Sequence, residues 1–401
     1  MRTWWRPPLL RTDEDEGRER RTGWLELFYD LVFVAIVAEL SHVIAAHPGP
    51  ESVAHFAILF VAAWWMWIGG TVYNDRFETD DVSHRLVTLL QMLPVAAMAF
   101  FAHDGLGADS TGFALAYVGG RVVIIAMWLR GGYHNPSFRP VSNRYALGFS
   151  ISVGLWITSL AFPSPVRVAL WVVALAIDLL TPVATLEMQR RLPRLSRSHL
   201  PERYGLFTII VLGESVVGVV NGAADAQAVT AVQGVGGVLG LGTAFALWWL
   251  YFDEVGERAP RRGPWWIITW SHLHLPFVAG LAIAGAGVLS IVAGAGAGAP
   301  DAVRWVLAGA MAVVFIALGL IELTLGEHPR GEPDVHAGVH LAGGIACLLV
   351  AVLGAGLSGV GLGLVLFSIA AIQVGIGVWI HARTGSDSSA EDAPEPERTP
   401  A

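Results

Sequence analysis

The residues of this 401-residue chain that could do chemistry are acids and histidines inside apolar segments. Asp30 stands in the apolar segment Trp24–Ala46, and Glu214 stands in a later one. A carboxylate inside the hydrocarbon of a bilayer costs about 2.5–3.5 kcal/mol, so it normally faces protein or water and has a partner or a task. The pattern predicts a proton- or cation-coupled transport site around Asp30 and Glu214, at comparable depths. It is equally compatible with structural acids that hold helices in register.

Two pairs of residues that contain histidine are further candidates for a proton site. Glu39 and His42 share one helix face, which indicates either a proton site or a local hydrogen-bonded pair. His272 and His274 are two residues apart and point about 200° apart on a straight helix. They are therefore not expected to bind one metal together, although one of them could relay a proton.

Metal and haem sites are the alternatives that use histidine as a ligand. His336 and His340 are four residues apart, with Asp334 nearby, which is metal-capable spacing at a position expected to be rich in water. A redox protein would instead use histidines as haem ligands, and the candidates are His42, His84, His272 and His340. No cofactor is predicted, and the metal content stays open.

Two further charged groups have a simpler interpretation. Arg121 and Asp178 each lie in the middle of an apolar segment, and an unpaired arginine there would be costly, so we expect them to form a buried ion pair. The loop YNDRFETDD could bind a divalent cation or make local salt bridges. Its acidic cluster consists of Asp75, Glu78, Asp80 and Asp81.

The elements that must position these residues are membrane-spanning helices. The chain is 54% hydrophobic and 14% charged, with a mean hydropathy of +0.56, whereas soluble domains carry about 25% charged residues. The single cysteine, Cys347, excludes an intramolecular disulfide and a multi-cysteine cluster. No phosphate-binding loop, nucleophile elbow or zincin motif is present, which argues against a nucleotide-driven pump and the commonest hydrolases. We do not expect an enzyme.

Apolar patterning predicts an all-α polytopic membrane protein with about twelve transmembrane helices. Of the 25 basic residues, all but Arg121, Arg167 and Arg304 fall on the side of the N-terminus, so both termini are predicted to be cytoplasmic. The basic stretch before the seventh span is explained by lipid headgroups, and nucleic-acid binding is not needed. The predicted spans are 24–46, 52–72, 83–103, 111–130, 142–162, 166–186, 204–221, 228–252, 265–294, 302–325, 335–357 and 359–381.

The second half of the chain repeats motifs of the first. Three dipeptide matches occur in order: Leu27-Phe28 with Leu206-Phe207, Trp64-Trp65 with Trp248-Trp249, and Ser83-His84 with Ser271-His272. They predict two parallel six-helix repeats, an architecture in which transporters hold their site between the halves. The predicted division is a cytoplasmic segment 1–23, a first half 24–186, a basic linker 187–203, a second half 204–381 and a disordered acidic tail 382–401.

Several motifs together resemble a known family. The strings GWLELFYDLVFV, YNDRFETDD, HLPERYGLFTIIVLGES, WWLYFDE and WSHLHLP are similar to those of the bacterial low-temperature-requirement protein A family. The resemblance implies a multi-pass protein of the bacterial inner membrane, in a family linked to growth in the cold, and it implies no catalytic residues. The leading hypothesis is a secondary transporter for an unknown small solute or ion. A non-catalytic membrane factor with structural acids is the alternative, and the oligomeric state is not predicted.

Overall fold

Helices account for most of the chain that the structure describes. The structure is a computed structural model, and it describes residues 4–11, 22–79, 81–193, 195–224, 230–256, 258–293, 299–326 and 335–391. The helices are α1 Trp24–Ala46, α2 Pro50–Arg76, α3 Val82–Phe101, α4 Ser110–His134, α5 Arg139–Ser159, α6 Val166–Val183, α7 Leu186–Gln189, α8 His199–Ala224, α9 Ala231–Glu254, α10 Pro264–Ala293, α11 Asp301–Glu322, α12 His336–Leu353 and α13 Gly359–Glu391. Two short strands, β1 Leu9–Leu10 and β2 Phe77–Glu78, pair antiparallel.

Local chemistry explains where several helices begin. The Asp81 carboxylate accepts a hydrogen bond from the backbone N–H of His84 at 2.7 Å, which caps the N-terminus of α3. Thr230 and Gln233 form a reciprocal capping box at the start of α9. Gly263 precedes α10 with φ 120°, a conformation that favours glycine. These polar residues end the loops and let the following apolar runs start as helices.

Ten helices in the described chain are long and apolar enough to cross a membrane. They include α1, whose bounds match the predicted first span. The two other long helices are α5, with 21 residues, and α8, with 26. At about 1.5 Å per residue both also reach ~30 Å, the thickness of the hydrocarbon core. The protein is therefore an all-helical multi-pass membrane protein with at least ten candidate spans.

Two segments differ from their predicted structure. The helix α8 begins at His199, five residues before the predicted seventh span. His199, Glu202 and Arg203 therefore belong to the helix and not to a linker. The helix α13 continues to Glu391, into the tail for which composition predicts disorder. The first proline of that tail is Pro394, so no proline interrupts the helix over residues 384–391.

The helices pack in two groups that meet along a central seam. In the first half, α1 packs against α2 and α3, and α3 to α6 follow one another as neighbours. In the second half, α8 packs against α9 and α10, and α10, α11 and α12 follow as neighbours. Contacts of α1 and α2 with α8 and α10 join the halves. This seam contains the charged residues described next.

Candidate functional site

The first feature of the seam is a fully buried ion pair between Asp30 of α1 and Arg203 of α8. An Arg203 terminal nitrogen (NH2) donates to Oδ1 of Asp30 over 2.6 Å, and neither side chain is exposed. The same Asp30 oxygen accepts a hydrogen bond of 2.7 Å from the indole N–H of Trp67. Arg203 also donates to the hydroxyl of Thr71. The acid that the sequence singles out is thus neutralised by an arginine from the other half of the chain.

A histidine between two carboxylates lies next to this pair. The ring nitrogen Nδ1 of His199 is 2.9 Å from Oδ1 of Asp75, and Nε2 is 3.1 Å from Oε2 of Glu26. Each contact needs one proton, and a neutral imidazole carries only one N–H. For both contacts to be hydrogen bonds, the three side chains must together carry one proton more than a neutral histidine and two ionised carboxylates. We call Glu26, His199 and Asp75 the proton triad.

Glu214 does not converge with Asp30. It follows Arg203 by eleven residues on the same helix, which is ~16 Å along the axis. Because Arg203 is already at the level of Asp30, the two acids lie at different depths, and the expectation of comparable depths was wrong. Glu214 is half-buried, and His42 of α1 is its electrostatic neighbour.

The Glu39–His42 pair expected from their spacing is not formed. Oε1 of Glu39 lies 2.7 Å from Nδ1 of His103, at the end of the helix pair α1 and α3, and His42 is exposed. The reason is that His103 follows directly after α3, which packs on α1, so it reaches Glu39 from across the interface.

Arg121 of α4 and Asp178 of α6 form the buried pair that we expected from the sequence. An Arg121 terminal nitrogen donates to Oδ1 of Asp178 over 2.8 Å, and neither side chain is exposed. The other carboxylate oxygen accepts from Tyr117 at 2.6 Å and from Ser152 at 2.8 Å. Asp178 is thus held by three donors, and the pair ties α4, α5 and α6 together.

A cavity of about 430 Å³ lies between the two halves. Its first-half wall includes Trp65 and Arg121, and its second-half wall includes His272. Exposed rim residues such as Arg197 and Arg262 belong to the lining, so the cavity opens at the end of the bundle where the 187–203 segment lies. It is large enough for a small organic molecule.

His272 and His274 occupy different surroundings. Nε2 of His272 lies 3.1 Å from the carbonyl oxygen of Leu179 in α6, so this ring bridges the halves beside the cavity. His274 is fully buried, with Nδ1 2.8 Å from the carbonyl oxygen of Trp270 and Nε2 3.2 Å from the hydroxyl of Tyr251. A carbonyl only accepts, so Nδ1 of His274 donates and Nε2 accepts from Tyr251. The two rings do not share a ligand.

The acidic loop does not form one cation site in the described residues. Oδ2 of Asp75 accepts from the backbone N–H of Ser196 at 2.9 Å, and its other oxygen belongs to the proton triad. Asp81 is instead directed at the N-terminus of α3. The two carboxylates separate because one ends α2 and the other caps α3. Asp80 and the side chain of Glu78 lie outside the described residues.

A second buried cluster lies where α9, α11 and α12 meet. His340 is bound between Oε2 of Glu254, at 2.6 Å, and Oε1 of Gln373, at 2.8 Å. Nδ1 of His336 is 3.5 Å from Oε1 of Glu322. Both histidines are buried, which differs from the water-rich position that the sequence suggested.

This cluster is the part of the described chain that could hold a metal. Ligand atoms of Glu254, Glu322 and His336 lie within 4.8 Å of one another. Arg258 is also present, 3.6 Å from Glu322, and its positive charge competes with a cation for the same carboxylate. Asp334, the third residue considered with the two histidines, lies outside the described residues.

Sequence reasoning missed the partners of Asp30 and the role of the polar residues before the seventh span. His199 and Arg203 stand in the string HLPER and look like the end of a basic linker. Their spacing of four residues was the available signal, because it places both on one helix face once the helix is known to start at His199. Only the fold shows that this face meets Glu26 and Asp30.

Comparison with known proteins gives one family and one relative. The family model described as "Bacterial low temperature requirement A protein (LtrA)" matches residues 21–380. A Rhizobium meliloti (strain 1021) protein named "Uncharacterized protein RA0937" is 28% identical over 285 residues, which cover 66% of this chain and 68% of that protein. The family match includes every residue of the proton triad, the Asp30–Arg203 pair and the cavity.

Proposed function

This chain belongs to the bacterial low temperature requirement A family. We propose that it is a secondary carrier of the bacterial cytoplasmic membrane. The observation that supports this function is the cavity of about 430 Å³ between the two halves, with walls from both of them. Carriers built from two parallel repeats bind their solute between the repeats, near the middle of the membrane. The position of the cavity between the proposed repeats supports this function, and its lining reaches the mid-span residue Arg121.

The proposed architecture is twelve spans in two parallel repeats of six. The ten apolar candidate helices together with α5 and α8 make twelve. The neighbour relations of α1, α2 and α3 are those of α8, α9 and α10. Both observations favour a duplication, as do the three ordered motif matches. An even number of spans per repeat gives both the same orientation.

The proposed orientation puts both termini and the mouth of the cavity in the cytoplasm. Arginine is concentrated in the 187–203 segment and in the connection between α9 and α10, at the end where the cavity opens. Positive charge on short connections marks the cytoplasmic side. The solute would therefore enter the observed conformation from the cytoplasm.

We assign proton coupling to the proton triad rather than to Asp30 with Glu214. With both contacts hydrogen-bonded, the triad carries one proton more than a neutral histidine and two ionised carboxylates. Asp30, in contrast, is sealed against Arg203 and Trp67. The backbone N–H of Ser196 donates to Asp75, and Ser196 also lines the cavity. One residue thus touches both the proton site and the solute site, which gives a direct route for coupling.

The test is whether the cavity is reached from both sides of the membrane. In a Cys347→Ala background, a single cysteine at Ile68, which lines the cavity, would be labelled with a membrane-impermeant maleimide in inside-out and right-side-out vesicles. We expect labelling from the cytoplasmic side and also, more slowly, from the opposite side. A cysteine at Leu180, 61% exposed, is the control and should be labelled from neither side, because its position faces lipid.

Labelling from one side only, under every condition, would contradict a carrier. It would favour the alternative of a non-catalytic membrane factor. The sealed environment of Asp30 is the observation that favours that alternative, because a carboxylate without access to water or solute acts only through its contacts.

A further inference from the structure

The cavity between the halves has a strongly positive lining. Among its described lining residues none is an aspartate or glutamate. The arginines that contribute to the lining are Arg76, Arg121, Arg190, Arg197, Arg261 and Arg262. A cleft lined by one sign of charge within low-dielectric walls concentrates ligands of the opposite sign. The charge of the lining therefore selects an anion.

Arg121 separates this feature from ordinary surface charge. Rim arginines such as Arg197 and Arg262 are exposed, and the positive-inside rule accounts for them. Arg121 has no exposed surface, lies near the middle of α4 and still belongs to the lining. Topology does not explain an arginine at this depth.

The guanidinium of Arg121 has donors to spare. Asp178 accepts from one terminal nitrogen, while Nε and the other terminal nitrogen, NH1, have no hydrogen-bond partner among the described residues. Tyr117 and Ser152 occupy the second oxygen of Asp178, so Arg121 cannot form a bidentate pair through that oxygen. Leaving buried donors of a charged group unpaired is destabilising. An oxyanion in the cavity would remove that cost.

The walls around Arg121 are aromatic and apolar. The Phe149 ring lies 4.2 Å from the guanidinium carbon of Arg121, and Trp65, Trp128 and Tyr145 also line the cavity. Gly69 belongs to the same lining, and a Cβ added there would be 3.5 Å from the NH1 nitrogen of Arg121. Cδ1 of Ile124 would lie nearer to that Cβ, at 2.8 Å, so the missing side chain at Gly69 lets Ile124 and Arg121 pack closely against α2. These surfaces fit a ligand with an apolar body beside its charge.

We propose that this cavity binds an organic anion, a carboxylate or phosphate with an apolar or aromatic body, whose acid group accepts hydrogen bonds from Arg121. The ligand's body lies against Trp65 and Phe149, and the rim arginines attract it to the mouth. This names the solute class of the carrier proposed above and rests on that function only for its transport. Free solutes and the headgroup of an anionic lipid share this chemistry.

The experiment measures binding of phenyl phosphate to the purified full-length protein in a neutral detergent, by isothermal titration calorimetry. Inorganic phosphate and benzyl alcohol are the paired probes that lack the body or the charge. We expect phenyl phosphate to bind more tightly than either. The variant Arg121→Gln with Asp178→Asn removes the guanidinium without leaving a buried charge, and the amide of Asn can still accept from Tyr117 and Ser152. Its affinity for phenyl phosphate should fall at least about tenfold.

A matched control is Arg304→Gln. Arg304 is also a buried arginine with an acidic neighbour, Asp301 at 3.1 Å, but it does not line the cavity. Its phenyl phosphate affinity should stay within about twofold of the wild type. An Arg121→Gln, Asp178→Asn protein that keeps wild-type affinity and unfolds at a similar temperature would overturn the anion site. Equal binding of inorganic phosphate would overturn the role of the apolar walls.

A lipid arm separates the two sources of the anion. The titration is repeated in nanodiscs of pure phosphatidylcholine and in nanodiscs that contain phosphatidylglycerol. Phosphatidylglycerol that weakens the binding of phenyl phosphate to the wild type, but not to the Arg121→Gln, Asp178→Asn protein, would show that a lipid headgroup uses the site. Binding that phosphatidylglycerol leaves unchanged would support a free solute. Anion binding with labelling of Ile68→Cys from one side only would keep the anion site and reject the carrier. Labelling from both sides without anion binding would keep the carrier and reject the anion site.

Discussion

The buried pair Asp30–Arg203 gives the sharpest test of how this membrane protein is held together. Both side chains are fully buried, and the bond between them is 2.6 Å long. Removing one partner of such a pair leaves an uncompensated buried charge, which costs about 3–5 kcal/mol of unfolding free energy. We therefore expect Asp30→Asn and Arg203→Met each to shift the unfolding equilibrium by roughly two to four powers of ten.

The double variant Asp30→Asn with Arg203→Met should be much closer to the wild type than the sum of the single changes. The Asn side-chain oxygen can still accept from Trp67, and no buried charge is left over. Replacing a buried ion pair by uncharged groups is often nearly neutral, so we expect a loss of about 1–2 kcal/mol. The coupling energy between the two sites would then be at least ~4 kcal/mol, among the largest pairwise values.

The assay is reversible unfolding of the purified protein by sodium dodecyl sulfate in mixed micelles, with protein abundance in membranes as the second readout. Glu187→Gln is the comparison, because Glu187 and its partner Arg190 are 75% and 65% exposed, and it should cost less than about 1 kcal/mol. Single variants of the buried pair that lose less than ~1 kcal/mol, with an additive double variant, would refute the reasoning. Normal abundance and stability with lost transport would instead give Asp30 a functional role.

Two further predictions concern a helix cap and a helix contact. Burial raises the pKa of Asp81, but hydrogen bonds from the backbone N–H of His84, from Ser83 and from the Arg6 backbone, together with the charge of Arg130, outweigh it and hold the pKa below its ordinary value of 3.8. The stability gained is therefore fully present above about pH 4 and lost as the pH falls through the folded pKa. Wild type and Asp81→Asn should differ at pH 6 in thermal unfolding, and the difference should shrink as the pH falls below 3.8; a pH-independent difference would contradict this. Gly280→Ala should cost about 1–3 kcal/mol, because its Cβ would lie 3.1 Å from the carbonyl oxygen of Ala310 in the α11 backbone. Gly309→Ala meets nothing within 4 Å and should be neutral or stabilising by up to ~1 kcal/mol, so equal losses in both variants would reject close helix packing as the cause.

Hydropathy predicts the helices of this protein well because each one must bury its own backbone hydrogen bonds in lipid. The segment Trp24–Ala46 is helical over its whole predicted length for that reason. The start of α8 was misplaced because hydropathy treats His199–Arg203 as solvent-exposed. His199 and Arg203 are instead buried in the helix, because acids of α1 and α2 contact their side chains. Composition cannot reveal such a compensation across about 170 residues of sequence.

The candidate site was predictable only where both partners stand deep in apolar segments. Arg121 and Asp178 satisfy that condition, and the cost of an unpaired arginine leaves few other partners. Asp30 did not, because its partner is an arginine that the sequence places in a basic linker. The pairing of Glu39 with His103 failed to emerge for a related reason: His42 is nearer in sequence, but helix packing brings His103 closer.

The distribution of charged contacts indicates where the halves could part. Every ion pair of the proton triad and of Asp30 joins α1 or α2 to α8, so it crosses from the first half to the second. Leaving one such charge buried and unpaired costs about 3–5 kcal/mol, so α1, α2 and α8 should move as one body in the transport cycle proposed above. The opposite wall of the cavity is joined to α10 by a hydrogen bond between His272 and Leu179, which costs only about 0.5–1.5 kcal/mol to exchange. A conformational change that opens the solute site would therefore separate α6 from α10 and leave the proton triad intact.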